Sequence, residues 1–314
     1  MPPTAHGTRL ASGLTFALVS SVSFGTSGTL ARGLLDTGWS PGAATLVRVL
    51  VAALIVAPAG LIALRGQWRL LRANLGVVLL YGVLAVAGAQ FCYFAAVQYM
   101  QVGPALLIEY TAPAAVVLWM WFRHRQRPTG LTIGGAALAG VGLLLVLNLG
   151  AVSPAGVAWA LGAMVGAATY FVLSADTALP PLTLAGGGLL VGAATLGTLG
   201  AIGLLPMTAS TADAVYNDRT VAFWVPVLAL GVVSAAVAYT TGIAAARRLG
   251  SRLASFVALT EVLAAILAAW LVLGEVPRPI QLLGGILVVA GVVVVRLGEA
   301  RPVEVVGAVP ELAP

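Results

Sequence analysis

Ten long apolar stretches, arranged as two sets of five, dominate this chain. Each is about 20 residues long, the length that an α-helix needs to cross roughly 30 Å of hydrocarbon. Unpaired backbone groups are costly in lipid, and none of the stretches shows the alternation of a transmembrane strand, so helices are expected. The sequence therefore predicts an all-α polytopic membrane protein with ten spans, at about 12–34, 42–64, 75–98, 104–122, 130–148, 154–174, 182–205, 220–245, 252–273 and 279–297.

The number of stretches also predicts how the two sets are related. Because five is odd, two five-helix units in one membrane must lie upside down relative to each other. Such inverted repeats around a central cavity are typical of transporters that alternate access to a site near the bilayer midplane.

Composition excludes several other classes of protein. Apolar residues make up 60% of the 314 residues and charged residues 8%, against about 25% charged residues in a soluble domain. The net charge of +6 does not indicate nucleic-acid binding, because the arginines are dispersed at the ends of apolar stretches. The single cysteine, Cys92, excludes an intramolecular disulfide and a cysteine-based zinc site. With no phosphate loop, metal cluster or nucleophile–base pair in the sequence, we expect no enzymatic activity, no cofactor and no bound metal.

The arginines predict the orientation in the membrane. If the N-terminus is cytoplasmic, the cytoplasmic segments hold twelve of the sixteen cations and the opposite segments hold Arg32, Arg219 and Arg278. This bias places both termini in the cytoplasm, and we expect the bacterial inner membrane. The twelve are Arg9, Arg65, Arg69, Arg72, Arg123, Arg125, Arg127, Arg247, Arg248, Arg252, Arg296 and Arg301.

The two halves share short sequence patterns at an offset of 143 to 151 residues. Gly13-Leu-Thr-Phe-Ala-Leu in the first span matches Gly156-Val-Ala-Trp-Ala-Leu in the sixth, and Leu131-Thr-Ile-Gly-Gly matches Gln281-Leu-Leu-Gly-Gly. Their shared order favours a repeat over chance similarity of Gly/Ala-rich helices. The predicted division is an N-terminal segment 1–11, a first repeat 12–148, a linker 149–153, a second repeat 154–297 and a disordered tail 298–314.

Several motifs carry a likeness to a known family: Phe24-Gly-Thr-Ser, Arg48, Tyr93, Gly103–Pro113, Arg248–Ser255, Leu259-Thr-Glu261, Leu273-Gly-Glu275 and Gln281-Leu-Leu-Gly-Gly. On these motifs the chain resembles EamA-type members of the drug/metabolite transporter superfamily, with the Ile-Glu-Tyr-Thr-Ala-Pro run similar to threonine/homoserine exporters. The resemblance implies a ten-helix basket whose cavity is lined by helices 1, 3, 4, 6, 8 and 9. It also implies transport of amino acids, other metabolites or drugs. The first-half counterpart of Leu-Gly-Glu is degenerate, with Arg-Gln-Arg-Pro in its place.

Three ionisable residues lie inside spans, where a charge is expensive and normally faces a cavity or a partner. Glu109, about 9 Å into its helix, precedes the predicted helix break at Pro113 and could bind a substrate ammonium or carry a proton; hydration at the helix end is the alternative. Glu261 lies on a small-residue stripe, where substrate binding and a structural pairing with Arg48 or a hydroxyl remain open. For Arg48 itself a structural ion pair or carbonyl contact is favoured.

Uncharged polar and aromatic residues complete the predicted site. Gln90 and Tyr93 share one face of the third span at helical spacing. The remaining aromatic residues lie on helices that the resemblance places around the cavity, where each could stack on a substrate or simply be buried. They are Tyr110, Trp159, Tyr170 and Tyr239.

These observations predict a secondary-active carrier for small organic metabolites, with amino acids or related compounds as the expected substrates and export as the expected direction. An uptake carrier, and a channel or scramblase-like facilitator for another small solute, are the alternatives. The expected partners are a small-molecule substrate and membrane lipid, with a proton and a second copy of the chain as candidates; no nucleic acid is expected.

Overall fold

A computed structural model of the chain describes residues 5–99, 102–125, 127–146, 153–274, 276 and 278–299. Most of the predicted linker and tail, together with Glu275 of the Leu-Gly-Glu motif, lie outside the described residues.

The described chain is helical except for one small hairpin. Its main helices are numbered here α1 to α10, and a short helix, Trp68–Ala73, lies between α2 and α3. The helices are α1 (Ala5–Asp36), α2 (Pro41–Ala63), α3 (Leu75–Leu80, Tyr81–Gly88 and Ala89–Tyr99), α4 (Val102–Glu109 and Ala112–His124), α5 (Gly130–Val146), α6 (Pro154–Ala175), α7 (Pro181–Ala201), α8 (Trp224–Gly231, Val232–Val237 and Ala238–Leu249), α9 (Ser251–Val257, Thr260–Ala268 and Ala269–Leu273) and α10 (Pro279–Glu299).

Seven of these helices are long and apolar enough to cross a membrane: α1, α2, α3, α6, α7, α8 and α9. Shorter apolar segments lie within the other three, at Ala112–Arg123 in α4, Gly130–Leu145 in α5 and Leu282–Val295 in α10. The protein is therefore a multi-pass membrane protein by its helices, and ten crossings stay a prediction.

Prolines mark where several helices begin. Pro41, Pro154, Pro181 and Pro279 each start a helix, where the missing N–H costs nothing and the fixed φ suits the first turn. Ser40 caps α2 by accepting a hydrogen bond from the backbone N–H of Ala43 at 3.2 Å. Such local signals explain why the predicted starts of these helices lie within one residue of those observed.

The segment before α8 differs from the prediction. The predicted eighth span begins at residue 220, but residues 219–221 form a strand. This strand, β2 (Arg219–Val221), pairs antiparallel with β1 (Ala214–Tyr216). Asn217 and Asp218 connect them with φ of 45° and 61°, the left-handed pair that a two-residue hairpin turn requires. A β-hairpin is thus added to the predicted all-α fold.

Contacts at the two ends of the bundle show which loops share a face. On one face, here called the hairpin face, Trp39 Nε1 donates to the Ser210 carbonyl at 2.8 Å and Tyr216 Oη donates to the Leu30 carbonyl at 2.7 Å. On the opposite face, Arg247 Nε donates to the Ser174 carbonyl at 3.2 Å. The α1–α2 and α7–α8 connections therefore lie together, away from the α6–α7 and α8–α9 connections.

Helix packing has the same pattern in both halves of the chain. Helix α1 packs on α8 and α9, whereas α6 packs on α3 and α4; α2 packs on α7, and α5 on α10. Exchanging the first five helices with the second five reproduces this set of pairs. The contacts of α5 with α10 are backbone to backbone, because a Cβ on Gly135 would lie 2.7 Å from the Gly291 carbonyl oxygen and one on Gly142 would lie 2.6 Å from that of Gly284.

Irregular helix turns also occur at matching positions. Helices α3 and α8 each contain a π-helical stretch, Tyr81–Gly88 and Val232–Val237. Helix α4 is interrupted at Tyr110–Thr111 and α9 at Ala258–Leu259. Stretches of this kind inside helices are frequent at functional sites and hinges.

Candidate functional site

Two cavities lie one above the other along the axis of the bundle. The first extends toward the face opposite the hairpin, with Ala17 and Ala245 in its wall. The second extends toward the hairpin face, with Arg32 and Leu273 in its wall. Helices α1, α3, α4, α6, α8 and α9 line the first cavity.

One layer of side chains belongs to the walls of both cavities. It consists of Phe24, Gln90, Glu109, Tyr110 and Glu261, and it is called here the shared layer. Four helices supply it: α1, α3, α4 and α9. A solute that passed from one cavity to the other would therefore meet an aromatic ring, an amide, a phenol and two carboxyl groups at one level.

The two carboxyl groups come from the interrupted helices. Glu109 is the last residue of the first segment of α4, and Pro113 lies in the first turn of the second segment. Glu261 lies in the first turn after the break in α9, and the Tyr110 hydroxyl donates a hydrogen bond to its carboxylate. The breaks thus bring Glu109, Tyr110 and Glu261 to the same level of the bundle.

Arg48 lies behind the shared layer and is 1% exposed. Its Nη1 donates to Gln90 Oε1 and, over 3.5 Å, to Ser27 Oγ, while its Nη2 donates to the backbone carbonyl of Ser234. These contacts link α2 to α3, α1 and α8. Within the described residues, Arg48 has no carboxylate within ion-pair distance, and its Nε has no partner.

The Gln90 amide connects Arg48 to the cavities. An arginine only donates, so the atom that it contacts must be the amide oxygen, and the amide nitrogen points away from Arg48. Gln90 Nε2 donates to Tyr239 Oη at 3.3 Å, and Tyr239 Oη donates to the Ala85 carbonyl at 3.2 Å. Gln90 therefore presents its N–H side toward the first cavity and the shared layer.

Aromatic rings form one wall of the first cavity. The rings of Phe24 and Tyr239 lie 5.1 Å apart edge to face, and those of Tyr170 and Tyr239 lie 5.7 Å apart. The guanidinium carbon of Arg48 lies 5.9 Å from the Phe24 ring centre. Such a wall offers stacking surface to an apolar part of a ligand.

Most of the predicted site residues lie at these cavities. Gln90, Glu109, Tyr110 and Glu261 border both; Tyr170, Tyr239 and Pro113 border the first; Tyr93 borders the second. Trp159 lies elsewhere: it is 37% exposed, its ring packs against Phe91 with centres 5.5 Å apart, and it borders neither cavity. Of the two structural partners expected for Glu261, Arg48 and a hydroxyl, the structure shows the hydroxyl, that of Tyr110, and no ion pair with Arg48.

Several cavity residues were missing from the predicted site. Phe24, Ser20 and Ser27 on α1 border one or both cavities, as do Phe171 and Ser255. A signal for those on α1 is present in the sequence, because Ser20, Phe24 and Ser27 recur every three or four residues within an apolar span.

Among the described residues, no group of three or more His, Cys, Asp or Glu side chains could hold a metal ion. To a bound molecule the shared layer offers hydrogen bonds, two carboxyl groups and aromatic surface.

A solved structure titled only "Crystal structure of protein" is similar, with a TM-score of 0.70 and 23% identity over 94% of this chain and 99% of that one; at this identity the likeness concerns the fold. No curated protein matches the chain. The sequence profile of the EamA-like transporter family matches residues 11–148 and 154–297.

The resemblance to EamA-type transporters predicted from the sequence is confirmed by this match, which covers nearly the whole chain in two copies; the likeness to threonine/homoserine exporters stays a prediction. The chain belongs to the EamA-like transporter family.

Proposed function

We propose that the protein is a secondary-active carrier that moves small organic solutes bearing an ammonium group, amino acids or related compounds, by alternating access to the shared layer. The observation that carries the proposal is the pair of cavities on opposite sides of that layer. A channel would need one continuous path, whereas a carrier needs a site that each side reaches in turn.

The carboxylates at the shared layer favour a cationic group on the solute. Glu109 and Glu261 both face the cavities, and within the described residues neither forms an ion pair with Arg48. An ammonium between two carboxylates would gain charge-assisted hydrogen bonds away from bulk water. Protons could compete for the same groups, which makes proton coupling part of the proposal.

The pattern of helix contacts supports an inverted arrangement of two repeats. The α1–α8 and α1–α9 pairs correspond to the α6–α3 and α6–α4 pairs under exchange of the halves. The breaks at Tyr110–Thr111 and Ala258–Leu259 occur at the shared layer, where a rocking motion would need flexible turns. We propose export as the net direction, although the direction itself is set by the gradients and not by the fold.

The experiment is counterflow into proteoliposomes that contain the purified protein. The radiolabelled probes are L-leucine, L-phenylalanine, L-threonine and the three amines that these amino acids give on decarboxylation. Saturable counterflow of at least one probe is expected, and no saturable counterflow of any of them would overturn the proposal. A flux that rises linearly with concentration would indicate a channel instead.

Glu109→Gln and Glu261→Gln test the role of the carboxylates. Each variant is expected to lower counterflow at least tenfold, because an uncharged amide replaces a charged partner of the ammonium. Asp213→Asn, the same chemical change in the exposed α7–α8 connection, is the matched control and should transport normally. Normal counterflow by both glutamine variants would exclude the carboxylates from the mechanism.

A further inference from the structure

We infer that Gln90, held in one orientation by Arg48, is the subsite for the anionic end of the solute, so that the site selects molecules carrying both an ammonium and a carboxylate. This inference rests on the proposed function and names a recognition element within that same site. In it, Gln90 contacts the solute, and Arg48 is a positioning residue.

Arg48 fixes the orientation of the Gln90 amide. Since Arg48 occupies the amide oxygen, both amide N–H groups lie on the other side, toward the cavities. Tyr239 accepts one of them. Within the described residues the second N–H has no acceptor, and a neutral amide with a free donor is complementary to a carboxylate oxygen.

The positive charge of Arg48 also favours an anion near Gln90. Its partners in the described residues are an amide oxygen, a serine hydroxyl and a backbone carbonyl, all neutral. A buried cation that touches no anion favours one nearby. Arg48 would stabilise a carboxylate that accepts a hydrogen bond from Gln90, although the two charges do not touch. The reason is that donation by Arg48 to Oε1 polarises the amide N–H groups and strengthens them as donors.

The arrangement of charge around the cavities favours a molecule that carries both charges. Gln90 comes from α3, whereas Glu109 and Glu261 come from α4 and α9, and all three belong to the shared layer. An anion alone would meet two carboxylates of its own sign, and a simple amine would leave the Gln90 donor unpaired. A molecule with both charges satisfies both groups at once.

Three matched pairs of ligands test the selectivity: L-leucine with isoamylamine, L-phenylalanine with phenethylamine, and L-threonine with 1-aminopropan-2-ol. Each amine lacks only the carboxylate of its amino acid. Dissociation constants are obtained from the thermal stabilisation of the purified wild-type protein over a ligand titration. At least one amino acid should bind about 10- to 100-fold more tightly than its amine, the usual effect of a hydrogen bond to a charged group.

Two substitutions assign this preference to Gln90. Gln90→Leu removes the donors and should abolish the preference for the amino acid. Gln90→Glu keeps an acceptor for Arg48, which favours correct folding, but places a carboxylate against the carboxylate of the ligand, so the amine should now bind more tightly. Gln67→Glu in the exposed α2–α3 connection is the matched control and should keep the wild-type preference.

The outcomes separate this inference from the proposed function. Amines that bind as tightly as their amino acids, or a preference that survives in both Gln90 variants, would overturn the Gln90 subsite while saturable counterflow left the carrier intact. Absence of both binding and counterflow for all six probes would overturn both.

Discussion

The hydroxyl of Tyr170 occupies the space that a side chain on Gly242 would need. A Cβ built on Gly242 would overlap the Tyr170 oxygen and would lie 2.7 Å from Ser20 Oγ. Tyr170 is 7% exposed, and Ser20 donates its own proton to the Ala238 carbonyl at 2.9 Å. The absence of a side chain at residue 242 therefore allows α6, α8 and α1 to meet at the wall of the first cavity.

Gly242→Ala is expected to destabilise the protein by about 1–3 kcal/mol, the usual cost of inserting a methyl group into a packed site. The measurement is the thermal unfolding midpoint in detergent. Gly140→Ala is the matched control, since a Cβ there meets nothing within 4 Å, and its midpoint should not fall. Tyr170→Phe should recover part of the loss in Gly242→Ala, and no recovery would show that the tyrosine hydroxyl is not the obstacle.

Arg48→Lys should destabilise the protein by about 1–3 kcal/mol although the charge is kept. A guanidinium reaches Gln90, Ser27 and Ser234 at once, and an ammonium on a flexible chain cannot reproduce that fork. The unfolding midpoint measures the effect. Arg32→Lys, on a side chain that is 61% exposed beside Asp36, is the control and should stay within about 0.5 kcal/mol of wild type.

Tyr216→Phe should weaken the docking of the hairpin on α1 by about 1 kcal/mol, because the hydrogen bond to the Leu30 carbonyl is lost. Proteolysis of the α7–α8 connection under native conditions measures this docking. Faster cleavage of Tyr216→Phe than of wild type is expected, with Tyr99→Phe, an exposed tyrosine on α3, as the control. Equal cleavage rates would mean that the hydroxyl does not hold the hairpin.

Docking of the hairpin should also depend on alkaline pH. Burial, with a smaller contribution from Asp36, raises the pKa of Tyr216 to about 12, above about 10 in an unfolded chain. A raised pKa means that the stabilisation is complete below about pH 10 and is lost as the pH rises through 12. The tyrosinate absorbance of wild type minus that of Tyr216→Phe should titrate near pH 12, and a midpoint near 10 would contradict the docked hydroxyl.

Cysteine labelling tests the orientation of the chain. In a Cys92→Ala background, Asp213→Cys in the α7–α8 connection should react with a membrane-impermeant maleimide in intact cells, and Gln67→Cys in the α2–α3 connection only after lysis. Both residues are exposed. The reverse pattern would contradict the orientation predicted from the arginines, and labelling of both in intact cells would contradict the predicted threading.

The helices were largely predictable because hydropathy and proline are local signals. Pro41, Pro154 and Pro181 mark helix starts in the sequence as clearly as in the structure. The predicted start of the eighth span was wrong because Thr220 and Val221 suit both a helix in lipid and a strand. The residues that mark the hairpin are Asn217 and Asp218, which form its left-handed turn, and a hydropathy pattern does not detect a turn of this kind.

Residues of the candidate site were predictable where a residue type is rare in its surroundings. A carboxylate within an apolar span stands out, which identified Glu109 and Glu261. Aromatic residues do not stand out, so Trp159 and Tyr170 look equivalent in the sequence although only Tyr170 reaches a cavity. The contact of Arg48 with Ser234 joins residues 186 positions apart, and no local pattern encodes such a distance.

The glycine contacts between α5 and α10 affect how the two halves recognise each other. Each half contributes one backbone to this seam, Gly135 and Gly142 from the first and Gly284 and Gly291 from the second. A complementary seam of this kind does not depend on a peptide bond between the halves. The two halves therefore carry the means to recognise each other in their own helices and not in the linker that joins them.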